Sequence, residues 1–230
     1  MAEKPILFST EMVRAILDGR KMQTRRIIKP QPKTIERDPK KRVPEAFWVD
    51  NQRWIKPPYQ SGDILWMRET WQHFCLNRNT IPNRFAGHSD YCYRSTVGND
   101  CCGEGGCKKW RPSIHMPREA ARLFLTVKNV RVERVQDITP FDCRAEGILF
   151  RPFNGAFPHF EEWLIKDYHT LWDSIYSEPI PLYEDEKIVS YYSCPWEDVQ
   201  ETCIFKGKPW VIYSNPWVWV TEFEMLTAHE

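Results

Sequence analysis

The 230-residue chain carries 32 Lys and Arg against 31 Asp and Glu, so its formal net charge is only +1. Hydrophobic residues make up 42% and aromatic residues 14%, which excludes an intrinsically disordered chain and supplies a sizeable core. No apolar run is long enough to span a bilayer, and the first residues lack the apolar stretch of a signal peptide. We therefore expect a cytoplasmic protein with no membrane partner, whose eight cysteines are mostly reduced.

The charges are segregated along the chain. Residues 1–42 hold twelve basic and five acidic side chains, a balance of +7, whereas residues 161–202 have a balance of −9. This pattern indicates either a basic face for an anionic partner or two segments that attract each other, and both interpretations stay open.

The N-terminal elements are a strand, a helix and a returning strand. The stretch KPILFST alternates like a strand, and Ser9 or Thr10 then caps a helix that Gly19 ends. Residues 19–30, GRKMQTRRIIKP, follow in a tight turn and carry five basic side chains, and TRRIIK returns as a strand.

Three segments rich in proline, glycine, cysteine or charge are predicted to be insertions, at about residues 30–60, 72–110 and 177–213. Between the first two, SGDILWMRETW predicts a strand in which Trp66 and Arg68 share one face and Glu69 lies on the other.

The remaining elements are two strands and two helices. ARLFLTVKNVRVERVQDI has the strongest strand pattern, Thr139 and Pro140 open a short helix, residues 160–176 have helical spacing, and NPWVWVTEFEML predicts a closing strand. Short strands between helices and long loops, without a Gly-rich phosphate loop, favour an α+β fold. We expect a small mixed β-barrel with peripheral helices rather than a doubly wound sheet.

The stretch LDGRKMQTRR matches the Gly-x-Lys-x-x-Thr-x-Arg pattern of ASCH-domain proteins, with Gly19, Lys21, Thr24 and Arg26 at its four positions. Further blocks in the same order resemble the larger ASCH proteins of bacteria and their prophages: GDILWMRETW, KWRPSIHMPREAARLFL, VERVQDITPFDCRAEGI, LWDSIY and NPWVWVTEFE. The resemblance covers most of the chain outside the three insertions. It implies a PUA-like mixed β-barrel formed by a single ASCH domain over residues 1–230.

Small members of that family hydrolyse N4-acetylcytidine to cytidine. The resemblance implies that Lys21, Thr24 and Glu146 are the catalytic residues of a hydrolase acting on an N4-acylated cytosine amide, with Arg26 beside the substrate. ASCH domains are also proposed to bind RNA, and one member cleaves single-stranded RNA. A non-catalytic RNA- or modified-base-binding module and a ribonuclease therefore remain alternatives, with a nucleoside or single-stranded RNA as the partner.

The chemistry of such a site is specific. A threonine hydroxyl is a poor nucleophile until a base takes its proton, and Lys21 can act as that base only after losing its own. Glu146 would then carry a proton to the leaving amine. In the simpler alternative, Lys21 and Arg26 pair with Glu146 and only fix the turn.

Two further groups of side chains are candidates for contacting a substrate. Stacking on a base or hydrogen bonding to it is predicted for Trp66, Arg68, Glu69, Trp71, Ser113 and His115. The alternative is that the tryptophans belong to the core and His115 is an ordinary loop residue. Because side chains alternate along a strand, we expect Arg25 and Lys29 to follow an outer track that binds the nucleic-acid backbone.

A structural zinc site is conceivable at four cysteines: Cys92, Cys101, Cys102 and Cys107. Two of them are adjacent, and the group contains no Cys-x-x-Cys pair. This spacing favours free thiols, and we expect no metal and no cofactor.

Overall fold

A computed structural model describes residues 1–29, 31–32, 34–36, 45–48, 53–73, 91–98, 109–149, 160–176, 180–184, 187–192, 196, 202–205, 208–211 and 215–226. These residues form an α+β structure, as the sequence predicts. The helices are α1 Thr10–Leu17, α2 Arg94–Val97, α3 Pro140–Ala145 and α4 Phe160–Ile175. The strands are β1 Glu3–Leu7, β2 Gln23–Ile27, β3 Thr34–Glu36, β4 Glu45–Trp48, β5 Arg53–Ile55, β6 Ile64–Arg68, β7 Trp71–His73, β8 Tyr91–Tyr93, β9 Phe124–Arg134, β10 Ile180–Glu184, β11 Lys187–Tyr192, β12 Thr202–Phe205, β13 Lys208–Val211 and β14 Trp217–Met225.

The main sheet has five strands in the order β1–β6–β9–β14–β2. The first pair is parallel, whereas β6 with β9 and β14 with β2 are antiparallel. Over the described residues the sheet is open, with β1 and β2 at its edges, and is not closed into a barrel.

Short strands form inside all three predicted insertions. The first contains the sheet β3–β4–β5, the second contains β8, which pairs with β7, and the third contains the hairpins β10–β11 and β12–β13. Their polar and proline-rich composition did not indicate this pairing, because prolines and charges in a sequence are typical of loops.

The chain forms two compact units, each assembled from segments that are distant in sequence. The first unit comprises Met1–Met22, Tyr59–Asn129 and Phe223–Glu230. The second comprises Gln23–Pro58 and Val130–Glu222. Nothing in this division tests the prediction of a single domain, which stays a prediction.

In the first unit, α1 ends in the turn that precedes the basic stretch. The Ser9 side chain caps the helix by accepting a hydrogen bond from the Met12 amide at 3.3 Å. Gly19 has φ +71°, a left-handed conformation that glycine adopts without strain. The chain reverses here, so Lys21 follows the turn directly.

The core of the second unit lies between α4, α3 and β14. Buried side chains from these elements and the segments beside them form one cluster: Val135, Ile138, Cys143, Leu164, Tyr168, Trp172, Val218 and Val220. The α4 members are four residues apart and therefore occupy one helix face. Thr139 caps α3 in a capping box with Asp142, which confirms the predicted helix start.

Candidate functional site

Lys21 lies in the first unit and is only 2% exposed. Its amide donates to the Ala15 carbonyl at 3.0 Å, which fixes the backbone after the Gly19 turn. The ammonium lies 5.9 Å from the centre of the Phe8 ring, and that ring contacts Phe223. A lysine is almost never this buried unless it is paired, because removing its charge from water is costly.

Thr24 lies in the second unit on β2, opposite Thr221 of β14. Both threonines are buried, and Arg26, two residues further on, is half-buried opposite the buried Trp219. Alternation along the strand therefore places Thr24 and Arg26 on one face, as the sequence predicts.

Arg25 points to the other face of β2, and its side chain is 0% exposed. It forms ion pairs with three carboxylates, Glu133 at 2.8 Å, Asp142 at 3.3 Å and Glu146 at 3.2 Å. The predicted place of Arg25 on an outer track is therefore corrected, because a guanidinium enclosed in this way does not reach a phosphate. Lys29, its predicted companion, is exposed.

Glu146 follows α3 directly and is 4% exposed. The capping box positions the short helix, and the helix carries Glu146 to Arg25, whose Nη1 donates to its Oε1. Glu146 is thus a buried carboxylate oriented by a guanidinium.

The carboxylates around Arg25 are joined to a second arginine. Arg131 of β9 forms ion pairs with Glu133, with Asp142 at 3.1 Å and with Glu222. Gln23 donates to Asp142 Oδ1 at 2.9 Å. Together these side chains form what we call the arginine–carboxylate cluster: Gln23, Arg25, Arg131, Glu133, Asp142, Glu146 and Glu222.

This environment shifts several pKa values. Burial opposes ionisation of Asp142, but hydrogen bonds from Thr139 and Gln23 and the charge of Arg25 outweigh it and lower its pKa to about 2. Burial raises the pKa of the Cys143 thiol to about 12, so that thiol is protonated at neutral pH. Burial also raises the pKa of Tyr168, and the negative charge of Glu146 adds to the effect.

Two polar atoms beside the cluster lack a hydrogen-bond partner among the described residues. They are Arg25 Nε and the Tyr168 hydroxyl oxygen, and both are buried. The hydroxyl lies within electrostatic reach of Arg25 and Glu146. The cluster therefore retains hydrogen-bonding capacity next to the predicted catalytic carboxylate.

Glu69, predicted to contact a base edge, is 1% exposed in the first unit. Arg122 donates to its two oxygens at 3.0 and 3.3 Å, and Ser95 donates to the second oxygen as well. Because both oxygens are engaged inside the unit, the predicted role of Glu69 in base contact is corrected to a structural one.

Trp71, a predicted stacking residue, is 2% exposed and belongs to an apolar cluster with Tyr93 and Met116. Its ring meets those of His73 and Tyr91 edge-on. Trp71 is therefore a core residue and offers no face to a base. By contrast, Trp66 and Arg68 are half-buried, and the Arg68 guanidinium lies 5.6 Å from the Trp66 ring.

Ser113 and His115 lie in a short 3-10 turn, Ser113–His115, within the predicted proline-bounded loop. His115 is exposed and Ser113 is half-buried. Between them, the Ile114 carbonyl accepts a hydrogen bond from Arg68, which joins this turn to β6.

Cys92 is a buried residue of β8, and Cys101, Cys102 and Cys107 lie outside the described residues. Within the described part of the chain, no group of three or more His, Cys, Asp or Glu side chains is arranged to hold a metal ion. None of the described helices has the length and apolar character needed to cross a membrane.

The sequence interpretation missed most of the arginine–carboxylate cluster. One signal was present: in VRVER, Arg131 and Glu133 occupy alternate positions of a strong strand, so both lie on one face. Charges on the inner face of a strand indicate partners on neighbouring elements.

No protein-family model, curated protein or solved structure matches the chain. The side chains described above can still be sorted by the chemistry open to them. Lys21, Thr24 and Glu146 are buried groups able to move a proton, whereas Trp66 and Arg68 are half-buried groups able to contact a ligand.

Proposed function

We propose that the chain is an ASCH-like hydrolase with a PUA-like fold, acting on an N4-acyl amide of cytosine. The proposal is supported by the pattern Gly19, Lys21, Thr24, Arg26 and by the burial of Lys21, Thr24 and Glu146. Exposed surface side chains would not support it, because a lysine in water stays protonated at neutral pH and a threonine hydroxyl there is inert.

The single observation that carries the proposal is the burial of Lys21. An amine that must act as a base needs an environment that disfavours its charged form. Lys21 is 2% exposed, so its side chain is removed from water.

The reaction consists of two balanced steps. The Lys21 amine takes the proton of the Thr24 hydroxyl, whose oxygen attacks the acyl carbon. The Glu146 carboxylate then passes that proton from the Lys21 ammonium to the leaving N4 amine as the C–N bond breaks. Water then attacks the acyl-threonine ester, which releases the carboxylic acid and restores Thr24 and the proton distribution. The products are a cytosine with a free 4-amino group and a carboxylic acid, and one water molecule is consumed.

The test is turnover of N4-acetylcytidine, followed by chromatographic separation of cytidine. We expect that the wild type releases cytidine and that Lys21→Ala, Thr24→Val and Glu146→Gln each lower kcat/KM by about 10²-fold or more. Arg20→Gln is a matched control, because Arg20 adjoins Lys21 but is paired with Asp18 at 2.7 Å. Full turnover by folded Lys21→Ala would refute the mechanism.

One observation favours a second candidate, a non-catalytic module that binds RNA or a modified base. Glu146 already accepts a hydrogen bond from Arg25 inside the arginine–carboxylate cluster, an arrangement that also suits a purely structural carboxylate. Such a module would bind N4-acetylcytidine without releasing cytidine. A ribonuclease, in which Lys21 stabilises the transition state and Glu146 is the base, requires a phosphodiester and would leave the free nucleoside intact.

A further inference from the structure

The Tyr168 hydroxyl is a buried polar group that has no part in the reaction steps given above. Tyr168 lies on the buried face of α4 and is 2% exposed. Two tryptophan rings pack against its ring, Trp172 and Trp196, each with its centre 6.1 Å away. Because a tyrosine oxygen lies on the axis of its ring, this packing also fixes the position of the hydroxyl.

The surroundings of Tyr168 place its hydroxyl where the apolar core meets the arginine–carboxylate cluster. Tyr168 packs in one apolar cluster with Cys143 and Val220. Cys143 lies on α3, three residues before Glu146, and Val220 is the cross-strand partner of Arg25, so their side chains share a face. The hydroxyl is within electrostatic reach of Glu146 and Arg25, and all five residues belong to the second unit.

The Arg25 guanidinium has one unused donor near the same place. Its Nη1 donates to Glu146 Oε1 at 3.2 Å, and its Nη2 donates to Glu133 at 2.8 Å. Its Nε is buried and has no hydrogen-bond partner among the described residues. Because the three nitrogens share one small planar group, the Nε–H lies beside the Glu146 carboxylate.

The Tyr168 hydroxyl is the second donor. Burial raises its pKa, and the negative charge of Glu146 adds to the effect, so the hydroxyl keeps its proton at neutral pH. The titratable groups around it are Cys143 and Glu146 from the α3 side, Arg25 from β2, and Tyr176 from the end of its own helix. Two buried donors beside one carboxylate thus both require an acceptor, since an unpaired buried donor is costly.

The enclosure limits the size of that acceptor. The Arg25 side chain is 0% exposed, Tyr168 is 2% exposed and Glu146 is 4% exposed. A buried water molecule makes about three hydrogen bonds to polar groups that otherwise lack partners. It can accept from two donors and still donate to a carboxylate, which matches the three groups present.

We propose that Arg25 Nε, the Tyr168 hydroxyl and the Glu146 carboxylate enclose a site for one water molecule, and that this water makes Tyr168 a positioning residue for Glu146. The water accepts from both donors and donates to the carboxylate, which restrains the carboxylate on the side away from Nη1. A proton passes efficiently only between aligned groups, so the restraint assists the proton transfer by Glu146. This role rests on the proposed hydrolysis, whereas the water site itself does not.

The first test is a pair of high-resolution crystal structures, of the wild type and of Tyr168→Phe. We expect the wild type to hold an ordered water within about 3.2 Å of all three groups. Tyr168→Phe should lose this water, and the Glu146 carboxylate should change its orientation. Tyr59→Phe is the matched control, because Tyr59 is a buried residue of the first unit whose hydroxyl donates to the Pro5 carbonyl at 3.0 Å.

The second test is the turnover of N4-acetylcytidine. Tyr168→Phe should lower kcat about tenfold and leave KM within about twofold, because it misplaces a proton carrier without touching the substrate. In the Glu146→Gln background the same change should cause no further loss, since Tyr168 acts only through Glu146. A merely structural role predicts that the two losses multiply. Tyr59→Phe should retain the wild-type kcat.

Two crystallographic results would each overturn the inference: no water between the three groups in the wild type, or an unchanged Glu146 in Tyr168→Phe. Equal kcat for the wild type and Tyr168→Phe would overturn the positioning role and leave the proposed hydrolysis standing. If the wild type releases no cytidine, the proposed hydrolysis fails and the two crystal structures decide the inference. Should Tyr168→Phe not fold, Arg25→Lys, which removes Nε but keeps the charge, gives the same comparison.

Discussion

A single guanidinium, that of Arg25, organises the buried carboxylates of the second unit. Its side chain is inaccessible to solvent and contacts carboxylates from β9, α3 and the residue after α3. A buried ion-pair cluster stabilises a fold little more than apolar side chains that replace all of its members. Removing only one member, however, leaves buried charges unpaired and is destabilising. The arginine therefore sustains the arrangement in which Glu146 is held.

Replacing Arg25 should be strongly destabilising. We expect Arg25→Met to lower the free energy of unfolding by about 3–5 kcal/mol in urea titrations at pH 7, because Glu133, Asp142 and Glu146 lose their common partner. Adding Glu146→Gln to Arg25→Met should restore part of the loss. Arg118→Met, which breaks the exposed pair with Glu3, should cost at most about 1 kcal/mol. Equal losses for the two arginines would contradict the structural role of Arg25.

Asp142 makes stability depend on pH. Its pKa is lowered from 3.8 to about 2 in the folded chain, so it contributes stability that is present above pH 4 and is lost as the pH falls through about 2. The contribution is about 2 kcal/mol at pH 7. We expect Asp142→Asn to be less stable than wild type by that amount at pH 7, and the difference to shrink by about half at pH 3. If the difference in stability between wild type and Asp142→Asn stays constant from pH 7 to pH 3, the Asp142 carboxylate is not the source of the pH dependence.

At the scale of elements, the helix α3 connects the capping residue Thr139 to the cluster. The Thr139 hydroxyl accepts from the Asp142 amide at 3.1 Å and donates to the Asp142 carboxylate at 2.7 Å. One side chain thus both begins the helix and orients a carboxylate that pairs with Arg25.

Thr139→Ala should therefore cost more than the loss of an ordinary cap. We expect the free energy of unfolding to fall by about 1–2 kcal/mol, seen as a lower thermal unfolding midpoint. The reason is that the helix cap and a hydrogen-bond donor to the Asp142 carboxylate are lost together. Ser9→Ala is the matched control on α1, whose cap bond is a single 3.3 Å contact, and should cost less. A larger loss for Ser9→Ala would argue against the coupling between α3 and the cluster.

The elements that sequence reasoning placed well are those with local signals. The α1 cap, the Gly19 turn, the opening of α3 at Thr139 and the alternation around Trp66 follow from residues within a few positions of one another. The burial of Arg25 does not, since its partners Glu133 and Glu146 lie 108 and 121 positions away. Alternation tells which side chains share a face but not which face is enclosed, and that depends on elements packed from elsewhere in the chain.

At the scale of the molecule, the last strand completes the first unit. Phe223 is 3% exposed, contacts the Phe8 ring, and its amide donates to the Met22 carbonyl at 2.8 Å. The Leu226 amide likewise donates a hydrogen bond to the Phe124 carbonyl of β9, at 2.8 Å. The N-terminal segments therefore depend on residues near the end of the sequence.

Truncation should show this dependence. We expect removal of residues 223–230 to destabilise the first unit by at least about 3 kcal/mol, the cost of losing one buried phenylalanine, and to lower soluble yield. Removal of residues 227–230, which retains Phe223 and Leu226, should leave the thermal midpoint close to that of the wild type. Similar behaviour of the two truncations would show that the closing strand is dispensable.

The discontinuous build of the two units also governs how the protein can be made in the cell. Gln31 donates a hydrogen bond to the Trp217 carbonyl across 186 positions of sequence. At a synthesis rate of about 5–20 residues per second, a ribosome needs roughly 10 to 40 s to translate that interval. During this time the nascent β2 lacks its partner strand, so the emerging chain is exposed to chaperones and proteases until β14 has been translated.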